Sequence, residues 1–187
     1  MLYYDDIENV KNYIDMAKES DASALIDKFS MYVGGKSTVL EIGMGPGNDL
    51  KLLNKKFIVT GSDKFEKFID EYKKTNIDSD LIVLDAATLE TSRKFDAIYS
   101  NKVLMHLTKD ELKKSILRQD KILNEKGIVF HTFWKGEGEE NFGGMLNIFY
   151  KEDELRNIFE TKFEIIAIEN YLEFEKDDSI ILIAKKV

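Results

Sequence analysis

The chain has 187 residues, 43% of them hydrophobic, enough for one domain of ordinary size with a real core. Lys and Arg number 27 against 35 Asp and Glu, a formal charge of -8, and no basic run is long enough to neutralise a phosphate backbone, so nucleic acid is not expected as a substrate. The absence of cysteine excludes disulfides, thiolate metal sites and cysteine nucleophiles, and with only two histidines no metal site is expected.

The stretch "MLYYDDIENV" has neither a basic segment nor an apolar run, and no later stretch approaches membrane-spanning length. The expectation is a soluble, cytoplasmic protein with no membrane partner.

In chain order, Ile7, Val10, Ile14 and Ala17 recur at helical spacing, and Ala24, Leu25 and Phe29 do so again after the capping pair Ser20-Asp21. Two helices are therefore predicted before the first strand. From Thr38 onward, "TVLEI", "FIVTGS", "LIVL" and "FDAIYS" read as four strands separated by polar helical segments, the pattern of parallel strands joined by helical crossovers. "LTKDELKKSILRQDKILNEKG" is the clearest helix, with Thr108 as cap, Glu111 three residues on, and Gly127 as its stop. "IVFHTFW" makes a fifth strand. The glycine-rich, acidic "KGEGEENFGGMLNI" follows and is too long for an ordinary strand-to-helix connection, which predicts a substrate-covering loop or local disorder. A helix at "KEDELRNIFET" precedes two final strands, "FEIIAIENYLEF" and "SIILIAKKV", which "EKDD" is expected to join as an antiparallel hairpin. No internal repeat or low-complexity linker divides the chain, so one domain is expected over 1–187.

"VLEIGMGPG" lies between a hydrophobic strand and a polar helix, where an open parallel sheet exposes its strand ends to ligand. Gly43 and Gly45 allow backbone to approach a bound molecule closely. Where the dinucleotide fingerprint needs its last glycine the chain has Asn48, with glycine at Gly47 instead, and no phosphate-loop lysine follows. Glu41, two positions before Gly43, repels a pyrophosphate but suits an ammonium or a sulfonium, so a cationic nucleoside fits best. Asp63 closes the second strand 22 positions after Glu41, the distance at which such folds place a carboxylate on ribose hydroxyls. Asp85 closes the third and is followed by two small residues that let a flat base lie over the backbone, so it is read as an acceptor for an adenine amine.

From Lys36 to Val187 the sequence resembles the class I S-adenosylmethionine-dependent methyltransferases. "LEIGMGPG" resembles their glycine motif, "VTGSD" the acidic end of their second strand, "LDAA" their adenine motif and "FDAIYSNKVLMHL" their fourth-strand motif. The resemblance implies an α/β fold, Rossmann-like and doubly wound. Its sheet has seven mostly parallel strands with an antiparallel last strand, and residues 1–35 form a helical lid over a core at 36–187. It implies S-adenosylmethionine as cofactor, with Glu41 and the loop backbone of Gly43, Met44, Gly45 and Gly47 at the methionine end. Asp63, with Lys64 beside it, holds the ribose, Asp85 and Ala86 the adenine, and Ser100 and Asn101 lie just past the fourth strand near the sulfonium.

His106 is the best candidate for a catalytic base, although a packing role is the preferred reading, and His131 inside the fifth strand is read as a core residue. "FHTFWKGEGEENFGGMLNIFYKEDELRNIF" is also similar to small bacterial methyltransferases of the tellurite-resistance type. That likeness implies Trp134, Lys135, Glu137 and Glu139 along an acceptor pocket, against the plainer reading of a solvated acidic loop. Tyr13 is placed over the cofactor or in ordinary packing. The asparagine-proline-proline-aromatic motif of amino-directed nucleic-acid methyltransferases is absent, since Lys102 and Val103 follow Asn101. The expected partner is a small-molecule methyl acceptor, and the assembly a monomer or homodimer. The rival readings are a protein that binds S-adenosylmethionine without catalysis and, further off, an aminopropyl transferase, which needs an acid where this chain has "YSNK".

Overall fold

The computed structural model describes residues 3–142 and 144–187. Met1 and Leu2 of the expected lid and Gly143 of the expected loop lie outside the described residues.

Seven strands form one sheet in the order β3 (Leu81–Val83), β2 (Ile58–Asp63), β1 (Thr38–Ile42), β4 (Phe95–Asn101), β5 (Leu123–Trp134), β9 (Ser179–Lys186) and β8 (Phe163–Tyr171). The first five are parallel, and β9 runs antiparallel to both β5 and β8, as expected for the final hairpin. This is the doubly wound, Rossmann-like arrangement expected, with an antiparallel last strand.

Period-two alternation sorts the strand residues onto two faces. Leu40, Ile42, Ile98, Val129 and Phe133 meet α5 (Lys109–Ile122) and α6 (Glu152–Phe159) on one face. Val39, Val59, Ala97, Tyr99 and Phe130 meet α2 (Ser23–Phe29) and α3 (Asn48–Leu53) on the other, with Ile69 and Tyr72 of α4 (Glu66–Lys73). A third cluster joins α1 (Ile7–Met16) to α4 through Tyr4, Val10 and Phe68, so the N-terminal helix is docked by aromatic edge-to-face contacts.

Thr108 and Glu111 form the expected capping box at the start of α5. Its expected stop at Gly127 is corrected: α5 ends at Ile122, and β5 begins at Leu123, which is buried and pairs with Phe95. Gly127 serves close packing instead, because a Cβ there would sit 2.8 Å from the Leu123 side chain and 2.9 Å from the Asn124 carbonyl. The segment expected as a loop or disorder is also corrected, since β6 (Glu139–Phe142) and β7 (Met145–Ile148) pair as an antiparallel hairpin. Ile148 and Tyr150 anchor it in the core, and Gly144 turns it at φ +81°.

Candidate active site

The carboxyl ends of β1, β2 and β4 meet on the α2–α3 face. Register sets Glu41 beside Gly61 on one side and Tyr99 on the other. Gly61 leaves room that Leu50, Leu81 and Met44 fill, and Glu41 is sealed beneath the glycine turn at 3% exposure.

That turn is built from positive φ angles at Gly43 (+71°), Gly45 (+46°) and Gly47 (+78°), with Pro46 between the last two. Met44 N–H donates to the Ser62 carbonyl and Gly47 N–H to the Met44 carbonyl, each at 2.8 Å. A Cβ on Gly43 would strike Val103 and one on Gly47 would strike Tyr72, whereas one on Gly45 would meet only Tyr13, at 3.6 Å. Of the three glycines, Gly45 alone has room for a Cβ, and Tyr13 packs over it. Gly47→Ala is expected to cost about 2 kcal/mol or more, from the left-handed angle and the overlap with Tyr72. Gly45→Ala is expected to lose less, and thermal melts of the two variants check the difference.

Asp63 holds the turn to β2. Its Oδ2 accepts from Gly45 N–H and its Oδ1 from Phe65 N–H, both at 2.9 Å, while burial pushes its carboxyl up against the pull of those N–H groups. Each oxygen retains a second lone pair for a ligand hydroxyl.

Asp49, in the first turn of α3, completes the cluster and was not singled out in the sequence. Its Oδ2 accepts from the Tyr99 hydroxyl at 2.9 Å and from Asn101 Nδ2 at 3.1 Å. Burial raises its pKa, and these two donors oppose the rise. An acid in a helix's first turn is ordinary, so only the partner Tyr99, fifty residues away, marks it. Asn48 Nδ2 donates to the Ala17 carbonyl at 2.6 Å, tying the glycine loop to the N-terminal helices.

Glu41 is the anomaly of the group. Its Oε2 is buried with no hydrogen-bond partner, and its pKa is raised well above 4.5 by burial first and then by Asp49 and Asp63. A buried carboxylate left unpaired costs several kcal/mol, so this position calls for a proton or a cation. The residues thus fit a ligand with a cationic group at Glu41, beside the Tyr13 ring that packs on Gly45.

At the neighbouring strand end, Lys64 Nζ pairs with Asp85 Oδ2 at 2.9 Å and Ala87 N–H donates to Asp85 Oδ1 at 2.7 Å. Burial works against the Asp85 carboxylate, but Lys64 and the Ala87 N–H hold its pKa below the ordinary value. Ala86 follows as a half-buried residue against the α5–α6 core.

Ser100 requires a correction. It lies within β4, not past it, and alternation turns its side chain to the α5 face, where Oγ meets His131 Nδ1 at 2.7 Å. His131 Nε2 meets Gln119 Oε1 at 2.9 Å, and burial pushes the imidazole pKa down to about 3, which matches its reading as a core residue. Asn101 is also in β4 but faces the site, bridging Asp49 and Thr132.

His106 sits in a 3-10 turn, Leu104–His106, with Nδ1 at 2.7 Å from the Leu146 carbonyl of the hairpin. A carbonyl only accepts, so Nδ1 carries the hydrogen and Nε2 keeps a lone pair. Burial lowers the pKa of His106 while the Leu146 carbonyl raises it, and the net shift is downward, so the ring is neutral at pH 7.

The residues expected along the acceptor pocket do not gather as a group. Trp134 carries the Lys102 amine 3.5 Å from its ring centre and stacks on Phe174. Lys135 lies 3.9 Å from Glu152, Glu137 pairs with Lys151 and is mostly exposed, and Glu139 is an exposed residue of β6. Lys102, at φ +55°, was passed over in the sequence. Its amine donates to the Phe133 carbonyl and Ser179 Oγ, and burial pushes its pKa down to about 7 against the pull of Glu173 and Asp178.

Residues 39–127 match the family model described as a methyltransferase domain. No protein of curated function matches the sequence. Among solved structures, the chain is similar to 1,6-didemethyltoxoflavin-N1-methyltransferase of Burkholderia thailandensis, with bound 1,6-didemethyltoxoflavin and S-adenosylhomocysteine. They share 17% identity over 99% of this chain and 87% of the other, with a TM-score of 0.81. It is similar to an S-adenosylmethionine-dependent methyltransferase of Clostridium acetobutylicum at 16% identity, 97% and 99% coverage and a TM-score of 0.77. It is also similar to the N-methyltransferase NodS of Bradyrhizobium japonicum, in complex with S-adenosylhomocysteine, at 15% identity, 96% and 97% coverage and a TM-score of 0.75. These likenesses show a shared fold across nearly the whole chain. Among the described residues, no helix is long and apolar enough to cross a membrane.

Proposed function

We propose that the protein transfers a methyl group from S-adenosylmethionine to a small-molecule acceptor, with residues 1–35 as a lid on a core formed by 36–187. The observation that carries this reading is the orphaned, buried Oε2 of Glu41 beside a glycine turn covered at Gly45 by Tyr13. When bound, S-adenosylmethionine supplies an electrophilic methyl carbon on a sulfonium, for direct displacement by the acceptor.

On this reading Glu41 pairs with the ammonium of the cofactor, the Gly43–Gly47 backbone lies against its methionine end, and Asp63 accepts from the ribose diol. Asp85 and Ala86 take the adenine edge. Tyr13, already over Gly45, shields the methyl group from water, and alignment of the acceptor supplies most of the rate. His106 Nε2 is the proton acceptor for an acceptor that must lose one, the neutral ring being held in the correct tautomer by Leu146. Small acceptors are favoured because the surface charge is acidic and because the similar Burkholderia enzyme holds a small heterocycle. Two of the similar proteins are named N-methyltransferases, so amines lead the acceptor panel. We place the enzyme in the cytoplasm.

Calorimetry with S-adenosylmethionine and S-adenosylhomocysteine tests the reading first: folded protein that binds neither would end it. Turnover on any member of a panel of amine, hydroxyl, thiol and metalloid acceptors then separates an enzyme from a protein that only binds the cofactor.

A further inference from the structure

We propose that Asp49 is a further residue of the cofactor pocket and that Glu41 and Asp49 together hold a proton in the ligand-free protein, which is released when the cofactor's ammonium group arrives. The inference rests on the cofactor reading above and adds to it a residue and a linkage.

The argument begins with what surrounds Glu41. Asp63 faces it from β2 and Asp49 from α3, with the phenols of Tyr72 from α4 and Tyr99 from β4, while Tyr13 of α1 faces Asp49 and Asp63, and the carboxylates of Asp21 and Glu173 also act on Asp49. No Lys, Arg or His side chain among the described residues makes a hydrogen bond or ion pair to any of the three carboxylates. Three buried carboxylates without a cation do not all ionise together near neutral pH.

Hydrogen bonding decides which one keeps the proton. Asp63 is stabilised as an anion by two backbone N–H groups, and Asp49 by the Tyr99 hydroxyl and Asn101 Nδ2. Glu41 Oε2 receives no donor at all, so the neutral acid sits there. Burial and the nearby Asp49 and Asp63 push the Glu41 carboxyl in the same direction.

An incoming ammonium replaces that proton as the counter-charge. In balance, the Glu41 carboxylic acid and the ligand's ammonium become a carboxylate–ammonium pair, and one proton passes to solvent. Asp49 is a positioning residue in this exchange: its negative charge holds the proton on Glu41 until a cation is present, and its bonds to Tyr99 and Asn101 fix the end of β4.

The test is calorimetry of S-adenosylhomocysteine binding in phosphate and in imidazole, buffers of different ionisation enthalpy, between about pH 5.5 and 7, where the ligand's ammonium stays charged. The wild type is expected to release roughly half to one proton per ligand, with affinity rising with pH by up to about tenfold per unit. Glu41→Gln is expected to bind more weakly with no proton release. Asp49→Asn is expected to bind with reduced release at the same pH, because Glu41 then ionises more readily. The analogue lacking the amine, 4-(adenosylthio)butanoate, is expected to bind the wild type without release. Equal enthalpies for the wild type in both buffers, or release that persists in Glu41→Gln, overturn the inference while leaving the cofactor reading intact. Absence of any S-adenosylhomocysteine binding overturns the cofactor reading itself.

Discussion

Replacing Glu41 by Gln is expected to weaken S-adenosylhomocysteine binding at least about a hundredfold and, at the same time, to raise the melting temperature of the ligand-free protein at neutral pH. The first effect follows from removing one partner of a buried carboxylate–ammonium pair, a change that costs roughly 3–5 kcal/mol. The second follows from linkage. The folded-state pKa of Glu41 is raised above 4.5, so its contribution to stability is complete below that value and is lost as pH rises through the folded value. Gln has no such loss. Its advantage should therefore be largest at neutral pH and vanish near pH 4, where the wild-type acid is protonated in both states. Thermal melts at two pH values and calorimetry at one check both halves. A variant less stable than wild type at pH 7 would show that Glu41 has a stabilising partner in the free protein.

The second large effect is expected at Asp63. Asp63→Ala removes the acceptor for Gly45 N–H and Phe65 N–H and, on the cofactor reading, for the ribose diol. A charged acceptor to a ligand hydroxyl is worth about 1.5–3 kcal/mol, so affinity for S-adenosylhomocysteine should fall roughly ten- to a hundredfold. The released Gly45 N–H loosens the turn as well, so the loss should sit at the upper end of that range. Asp63→Asn keeps one carbonyl acceptor and should fall between wild type and Ala. Unchanged affinity in a folded Asp63→Ala protein would mean that the acid at the end of β2 serves the loop alone.

The three acids differ in how legible they were. Glu41 and Asp63 stand at the ends of hydrophobic runs, before a glycine turn and before a helix, so position alone pointed to a ligand face. Asp49 had no such mark, because its meaning depends on Tyr99 and Asn101, which reach it across the sheet. Lys102 was hidden for the same reason: burial depresses its pKa, and the groups that surround it, Phe133, Trp134, Tyr171 and Ser179, come from β5, β8 and β9. Ser100 was legible in principle, since alternation from Tyr99 turns it to the opposite face, and the expectation failed by treating the strand end as loop.

The hairpin of β6 and β7 shows the limit of composition. Glycine and glutamate argued for an open loop, although the Gly-Gly pair of "NFGGM" is a local hairpin signal that this reading passed over; only the bond from His106 to Leu146, forty residues on, leaves no local pattern. Gly127 shows the same limit from the other side, as a glycine required by close packing rather than by a helix end.

By itself, the sequence determined the succession of the main-sheet strands and crossover helices along the chain, the glycine turn around Pro46, and the carboxylates at three consecutive strand ends, because each is written in local periodicity and spacing. Only the tertiary structure decided that Glu41 is sealed without a partner, that Asp49 joins it, and that Ser100 does not. Burial and pairing are properties of what folds over a residue, and here the covering groups come from segments up to about fifty residues away.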